Sequence, residues 1–161
     1  MANLNRPNGF KPAAPIYEAR KYTVAASQTI AVGDLVELYT DGYVIIATAT
    51  SIKILGAAAT PVTSSSAGDA IWVYDNPNQV YVAQIATGAL IDKYTTSDTA
   101  NAFDIVATTG GMYVNHAATS YDIIQVLTPA TEPDTGAESA LGAYMKVYCK
   151  ISMCNHRLGS G

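Results

Sequence analysis

The run Thr29 to Ala59, TIAVGDLVELYTDGYVIIATATSIKILGAAA, leaves a folding chain few choices. It encodes three short strands and two tight reversals, and it reads as scaffold rather than as chemistry. Gly33-Asp34 precedes LVELY, and Asp41-Gly42 separates LVELY from YVIIA. The chain therefore reverses where glycine adopts positive φ at no steric cost, and a hairpin is expected around Asp41-Gly42. The flanking segments, Leu35 to Tyr39 and Tyr43 to Ala47, are rich in the β-branched and aromatic residues that suit a pleated, half-buried surface. Leu35, Val36, Glu37, Leu38 and Tyr39 alternate imperfectly, which predicts burial on both faces, as in the core of a sandwich or barrel.

At 161 residues the chain suffices for one domain with a real core. Hydrophobic residues make up 49% and charged residues only 14%, so Thr, Ser, Asn and Tyr must supply the polar surface. Such a surface suits a protein largely covered by neighbours. The net charge of -4 and the singly scattered Lys and Arg argue against a nucleic-acid partner, because a phosphate backbone selects a basic stripe. No apolar run is long enough to span a bilayer, and the opening MANLNRPNG lacks the basic-then-apolar order of a signal peptide. The expectation is a chain with no membrane partner that stays where it is made.

Further strands are expected at Ile16 to Ala25, Tyr43 to Ala49 and Ile54 to Ala59, with a mobile Ser/Thr-rich tip at Thr63 to Gly68. Ala70 to Tyr74 and Val80 to Ala86 are expected as a second hairpin about Asp75-Asn76-Pro77-Asn78, all strong turn formers. Trp72 is expected in the core or at its edge. Leu90 to Asn115 is polar and threonine-rich around a Gly110-Gly111 turn, and Thr95 to Ala102 could carry at most a short helical turn. Tyr121 to Leu127 is a strand and Pro129 to Ala140 a loop. In Ala143 to Met153, Val147, Cys149, Ile151 and Met153 alternate with Lys146, Tyr148, Lys150 and Ser152, the clearest strand in the chain. These elements predict an all-β fold, a compact antiparallel β-sandwich or barrel over residues 16–161, with an extended N-terminal arm over residues 1–15.

The arm follows from its residues. Pro7, Pro12 and Pro15, the Pro7-Asn8-Gly9 turn, and Asn3, Asn5 and Asn8 cannot build a helix or an inner strand, which leaves a disordered terminus or an extended arm that reaches for a partner. Phe10, read as an exposed aromatic flanked by Arg6 and Lys11, gives such an arm an anchor and two charges for gripping a partner.

Signs of chemistry are sparse. The chain has no Gly-x-Ser-x-Gly elbow, no His-Glu-x-x-His and no Gly-x-x-x-x-Gly-Lys phosphate loop. His116 and His156 are expected at the surface, since a triad would need one of many Ser or Thr residues brought to them by the fold. Cys149 and Cys154, five residues apart along a strand, fall on opposite faces and are expected as free thiols. Zinc needs four ligands, and Cys154 with His156 has no second cluster to complete a site. Glu132, Asp134 and Glu138 offer oxygen ligands without an EF-hand spacing, so solvated loop acids are expected there. Asp34, Asp41, Asp69 and Asp75 each stand at a turn or strand end, where carboxylates accept backbone N–H bonds. No enzymatic activity, cofactor or metal is expected.

With these features in place, the chain resembles the small head-decoration, or cement, proteins of tailed bacteriophages. The resemblance rests on the opening MANLNRPNGFKPA, the IAVGDLVEL turn followed by DGYV, the returning ILGAAA strand, and the closing VYCKISMCNHRL, and it covers most of the chain. It implies a non-enzymatic structural protein on the outside of a phage capsid, made in the host bacterial cytoplasm, that clamps adjacent major capsid subunits. The implied partners are the major capsid protein and further copies of the chain, as a homotrimer or as neighbouring decoration subunits. By the same resemblance, Asn3, Asn5, Arg6, Pro7, Asn8, Phe10 and Lys11 belong to the capsid-binding arm. A competing expectation is a carbohydrate- or surface-binding β module on the virion, which would use Trp72, Tyr74, Tyr81, Tyr113 and Tyr121 as stacking faces.

Overall fold

The computed structural model describes residues 7–85, 102–115, 120–121, 123–131, 136–137, 139 and 144–152. The described residues form strands and connections, with no helix. In chain order the strands are β1 (Lys11–Pro12), β2 (Arg20–Thr23), β3 (Gln28–Ile30), β4 (Leu35–Leu38), β5 (Val44–Ile46), β6 (Ile54–Ala58), β7 (Val62–Ser64), β8 (Ala70–Tyr74), β9 (Tyr81–Gln84), β10 (Ala102–Val106), β11 (Tyr113–Asn115), β12 (Ile124–Pro129) and β13 (Lys146–Ile151). Six of them form one sheet in the order β1-β9-β13-β12-β10-β11, five form a second in the order β2-β8-β6-β4-β5, and β3 pairs with β7. Every named pairing is antiparallel. The all-β expectation therefore holds.

Both sheets also curl towards closure. Val24, just beyond edge strand β2, makes a parallel bridge to Val44 in the opposite edge strand β5, and Ile85 bridges Val114 of β11 in the same way. Each such bridge covers part of an edge on which another chain could template.

The centre of the five-stranded sheet, around β4 and β6, is buried on both faces because its sequence is apolar at adjacent positions, whereas β2 and one face of β8 are exposed. Leu35, Ala47, Ile54 and Ala57 join a cluster with Tyr81, Ile105, Met112, Ile124, Val147 and Cys149 of the larger sheet and its loops. Val36, Val44, Leu55, Ala58, Ile71 and Val73 join a second cluster with Val24 and Ile30, against which Val62 packs. The two-faced burial expected near the centre of Leu35 to Tyr39 is found at its start, at Leu35 and Val36, while Glu37 and Leu38 are half-buried and Tyr39 is exposed. A bulge makes the same possible in β6: Val36 pairs with Gly56 and Glu37 with Ile54, so Leu55 is the extra residue. Ile54 and Ala57 consequently face one cluster while Leu55 and Ala58 face the other.

The Asp41-Gly42 hairpin forms as expected, with Val36 opposite Ile46 and Leu38 opposite Val44, and Gly42 at φ 84°. β13 alternates as its sequence requires, burying Val147, Cys149 and Ile151 near the middle of the larger sheet. The Gly110-Gly111 reversal is present too, with Gly110 at φ 75° and the Gly111 amide donating to the Thr108 carbonyl at 2.9 Å.

Four expectations need correction. The second hairpin does not exist, because β8 pairs with β2 and β6 while β9 pairs with β1 and β13 in the other sheet. Both edges of β8 are already occupied, so the Asp75–Val80 turn carries the chain across to a different sheet. The Ser/Thr-rich tip begins as strand β7, and Ser64 is buried with its hydroxyl donating to the Ser66 carbonyl. Trp72 lies on neither cluster and is 45% exposed. Most consequentially, Phe10 is 0% exposed and part of the larger core cluster. The helical turn considered at Thr95 to Ala102 lies outside the described residues except for Ala102, which opens β10.

Candidate functional site

The residues expected to grip a partner divide three ways. Asn3, Asn5 and Arg6 lie outside the described residues. Phe10 points into the protein, while Pro7 is partly buried and Asn8 and Lys11 remain exposed. The inward turn of Phe10 has a backbone cause. Gly9, at φ 71°, packs so closely on Gly33 that a Cβ there would lie 2.6 Å from the Gly33 carbonyl oxygen. The Phe10 amide donates to that same oxygen at 2.8 Å. The Phe10 ring then meets Tyr81 edge-to-face at 6.4 Å, and the Tyr81 hydroxyl donates to the Tyr74 carbonyl at 2.8 Å. β1 pairs Lys11 with Val82 and Pro12 with Tyr81.

Buried Gln79 fixes the residues that follow. Its amide nitrogen donates to the carbonyls of Ala13 at 2.9 Å and Val80 at 2.7 Å, and its carbonyl oxygen accepts the Tyr17 amide at 2.9 Å. On the other side of Gly33, buried Asp34 ties two reversals together, accepting the Ala31 and Gly110 amides, both at 2.9 Å. Burial pushes the Asp34 carboxyl above its ordinary range, and the two amides hold it back. The segments around Gly9, Gly33 and Gly110 therefore meet in space, with Gly111 close to Pro7. Each reversal was visible in the sequence, but no local signal announced that they meet.

A groove of about 380 Å³ opens elsewhere, between the end of β4 and the loop that leads from β5 to β6, and is lined by residues including Tyr39, Ile52 and Lys53. A groove of about 470 Å³ runs beside the N-terminal segment, lined by Asn8, Lys11, Ala14, Gln84 and Tyr148 among others. The large apolar side chains most exposed among the described residues are Ile16, Val32, Tyr39, Ile52 and Trp72. None belonged to the expected capsid-binding arm, and Trp72 alone among them belonged to the aromatic set expected to stack on a saccharide. The tyrosines expected to stack on a ligand are packed inward: Tyr81 is buried, Tyr74 and Tyr121 lie against the larger core cluster, and Tyr113 is partly buried.

The titratable groups do not converge. Among the described residues no three His, Cys, Asp or Glu side chains are close enough to share a metal ion. His116, His156, Cys154, Glu132, Asp134 and Glu138 lie outside the described residues. Cys149 is a buried free thiol, its pKa pushed far up by burial, and it contacts the Tyr81 carbonyl through sulfur at 3.7 Å. Asp75 is turned inward, accepting the Tyr22 hydroxyl and lying 3.5 Å from Arg20. No helix among the described residues is long and apolar enough to cross a membrane. Compared with known proteins, the chain matches no family model and no curated sequence.

Proposed function

We propose that this chain is a structural virion protein that binds the outside of a tailed-phage capsid and cements adjacent major capsid subunits. One observation carries the reading: a sparsely charged surface on an antiparallel frame presents Ile16, Val32 and Trp72 to solvent. Apolar side chains of that size on so little charge suit a molecule held among neighbours. Repetition supplies the rest of the argument, since a modest contact multiplied over a symmetric shell binds firmly without any single strong site. Asn8 and Lys11, exposed along the larger groove, are the expected contact residues best placed for that role. Phe10 is reassigned from anchor to core.

The rival reading, a carbohydrate- or surface-binding module, drew on Trp72 and the tyrosine-rich strands: Tyr74, Tyr81 and Tyr121 pack against the protein's own core, which removes them as stacking faces, whereas Trp72 is exposed. Cryo-electron microscopy of the particle that carries this chain tests the proposal. Ordered copies bridging capsid subunits are expected, with Asn8 and Lys11 at a contact; a shell without this chain on its outer surface would sink the proposal.

A further inference from the structure

We infer that the groove between the end of β4 and the β5–β6 loop is a binding site for a neutral saccharide. It encloses about 380 Å³ and is lined by Glu37, Tyr39, Thr48, Thr50, Ile52 and Lys53, with Ser51 below them. The antiparallel pairing of β4 with β6 creates it by bringing the last residues of one beside the first of the other.

Both walls are held before any ligand arrives. The Tyr39 amide donates to the Tyr43 carbonyl at 2.8 Å, which fixes the hairpin side. On the loop side the Thr48 amide donates to the buried Ser51 hydroxyl at 2.9 Å, and the Ser51 amide returns to the Thr48 carbonyl at 3.1 Å. The hydroxyls of Thr48 and Thr50 lie 3.2 Å apart, as do those of Thr48 and Ser51. A site ordered in advance loses less entropy on binding.

The lining selects a ligand that is apolar on its faces and hydroxylated at its rim. Tyr39 is 52% exposed and Ile52 is 47% exposed, so the groove offers one flat and one branched apolar surface. Glu37 provides an acceptor and Lys53 a donor, and no ion pair joins them among the described residues. A pyranose matches this pattern, with C–H faces for the ring and hydroxyls for carboxylate, ammonium and threonine. A phosphate-bearing ligand fits less well, because the lining holds one ammonium and also a carboxylate. The volume accommodates a short oligosaccharide. This inference does not depend on the shell reading, since it concerns the isolated chain.

The test is an NMR titration of the full chain with N-acetylglucosamine trimer and with maltotriose, preceded by a printed array of bacterial polysaccharides to choose further probes. Saturable shifts confined to residues 37–40 and 48–53 are expected with at least one saccharide. Tyr39→Ala should weaken that binding by roughly tenfold, the loss of one stacking contact, while Tyr39→Phe retains it. Because Tyr39 is half exposed at a strand end, the variant's unchanged spectrum elsewhere verifies its fold. No saturable shift with any saccharide would overturn the inference. So would binding that Tyr39→Ala leaves intact, or shifts that appear only with a peptide probe.

Discussion

Asp75 and Tyr22 show how one contact makes stability depend on pH in the alkaline range. A buried carboxylate is tolerated only with hydrogen-bonding partners, and Asp75 accepts the Tyr22 hydroxyl. Arg20 lies 3.5 Å away, but its side chain is 70% exposed, so solvent screens the ion pair. Burial, followed by the hydrogen bond and the charge of Asp75, pushes the Tyr22 phenol from 10.0 up to about 12. The folded protein therefore holds this proton where the unfolded chain releases it. The resulting stabilisation is fully present below pH 10.0 and disappears as pH rises towards about 12. Tyr22→Phe should lower stability at neutral pH by about 1–3 kcal/mol, since Asp75 loses a donor. Urea denaturation at several alkaline pH values should also show a shallower decline for that variant; an identical decline would refute the assignment.

Whole elements depend on contacts that leave no room for a side chain. A Cβ on Gly56 would lie 1.9 Å from the Tyr74 carbonyl oxygen, where β6 packs along β8. Gly56→Ala should therefore destabilise by more than about 4 kcal/mol or prevent folding. Gly42→Ala, at φ 84° with open space around it, should cost only about 1–2 kcal/mol. Thermal melts of the two variants compare a steric effect with a purely conformational one, and equal losses would contradict the packing described. At the N-terminal strand, Phe10→Ala should cost about 3–5 kcal/mol, the penalty of emptying a core site. A loss within about 0.5 kcal/mol, typical of surface positions, would restore Phe10 as an exposed anchor.

For the molecule as a whole, the N-terminal segment belongs to the folded body from Pro7 onward. A deletion ending at Arg6 spares every contact described for Pro7 to Pro12, whereas one ending at Pro12 removes Phe10 and β1. The longer deletion should lower the melting temperature well below that of the shorter one. A deletion of Ala2 to Pro12 is therefore not a clean test of shell attachment, because lost binding could reflect lost fold. If the chain binds shells as proposed, the shorter deletion combined with Lys11→Glu separates the two effects: sedimentation with shells should decrease while the melt stays near that of the full chain. The curled sheets add a second expectation at this scale. Val24 bridges Val44, and Ile85, just beyond β9, bridges Val114, so strand addition should be disfavoured at these two places.

The sequence by itself determined what is local. Glycine at Asp41-Gly42, the apolar segment Leu35–Leu38, the β-branched run Val44–Ile46, and the strict alternation of Lys146–Ile151 specify backbone dihedrals and a buried face within a few residues. The same reasoning failed at Asp75-Asn76-Pro77-Asn78, where the turn was legible but the sheet receiving the next strand was not. It failed again at Phe10, because a proline-rich segment has no periodicity to reveal a buried side. Only the tertiary structure decided that Gly9 would stack on Gly33 and turn Phe10 inward, that Asp34 would accept the Gly110 amide, and that Tyr39 and Ile52 would share a groove. Turn propensity acts over a few bonds, whereas these contacts join residues far apart in the chain. They form only when strand pairing and close packing satisfy the whole core at once.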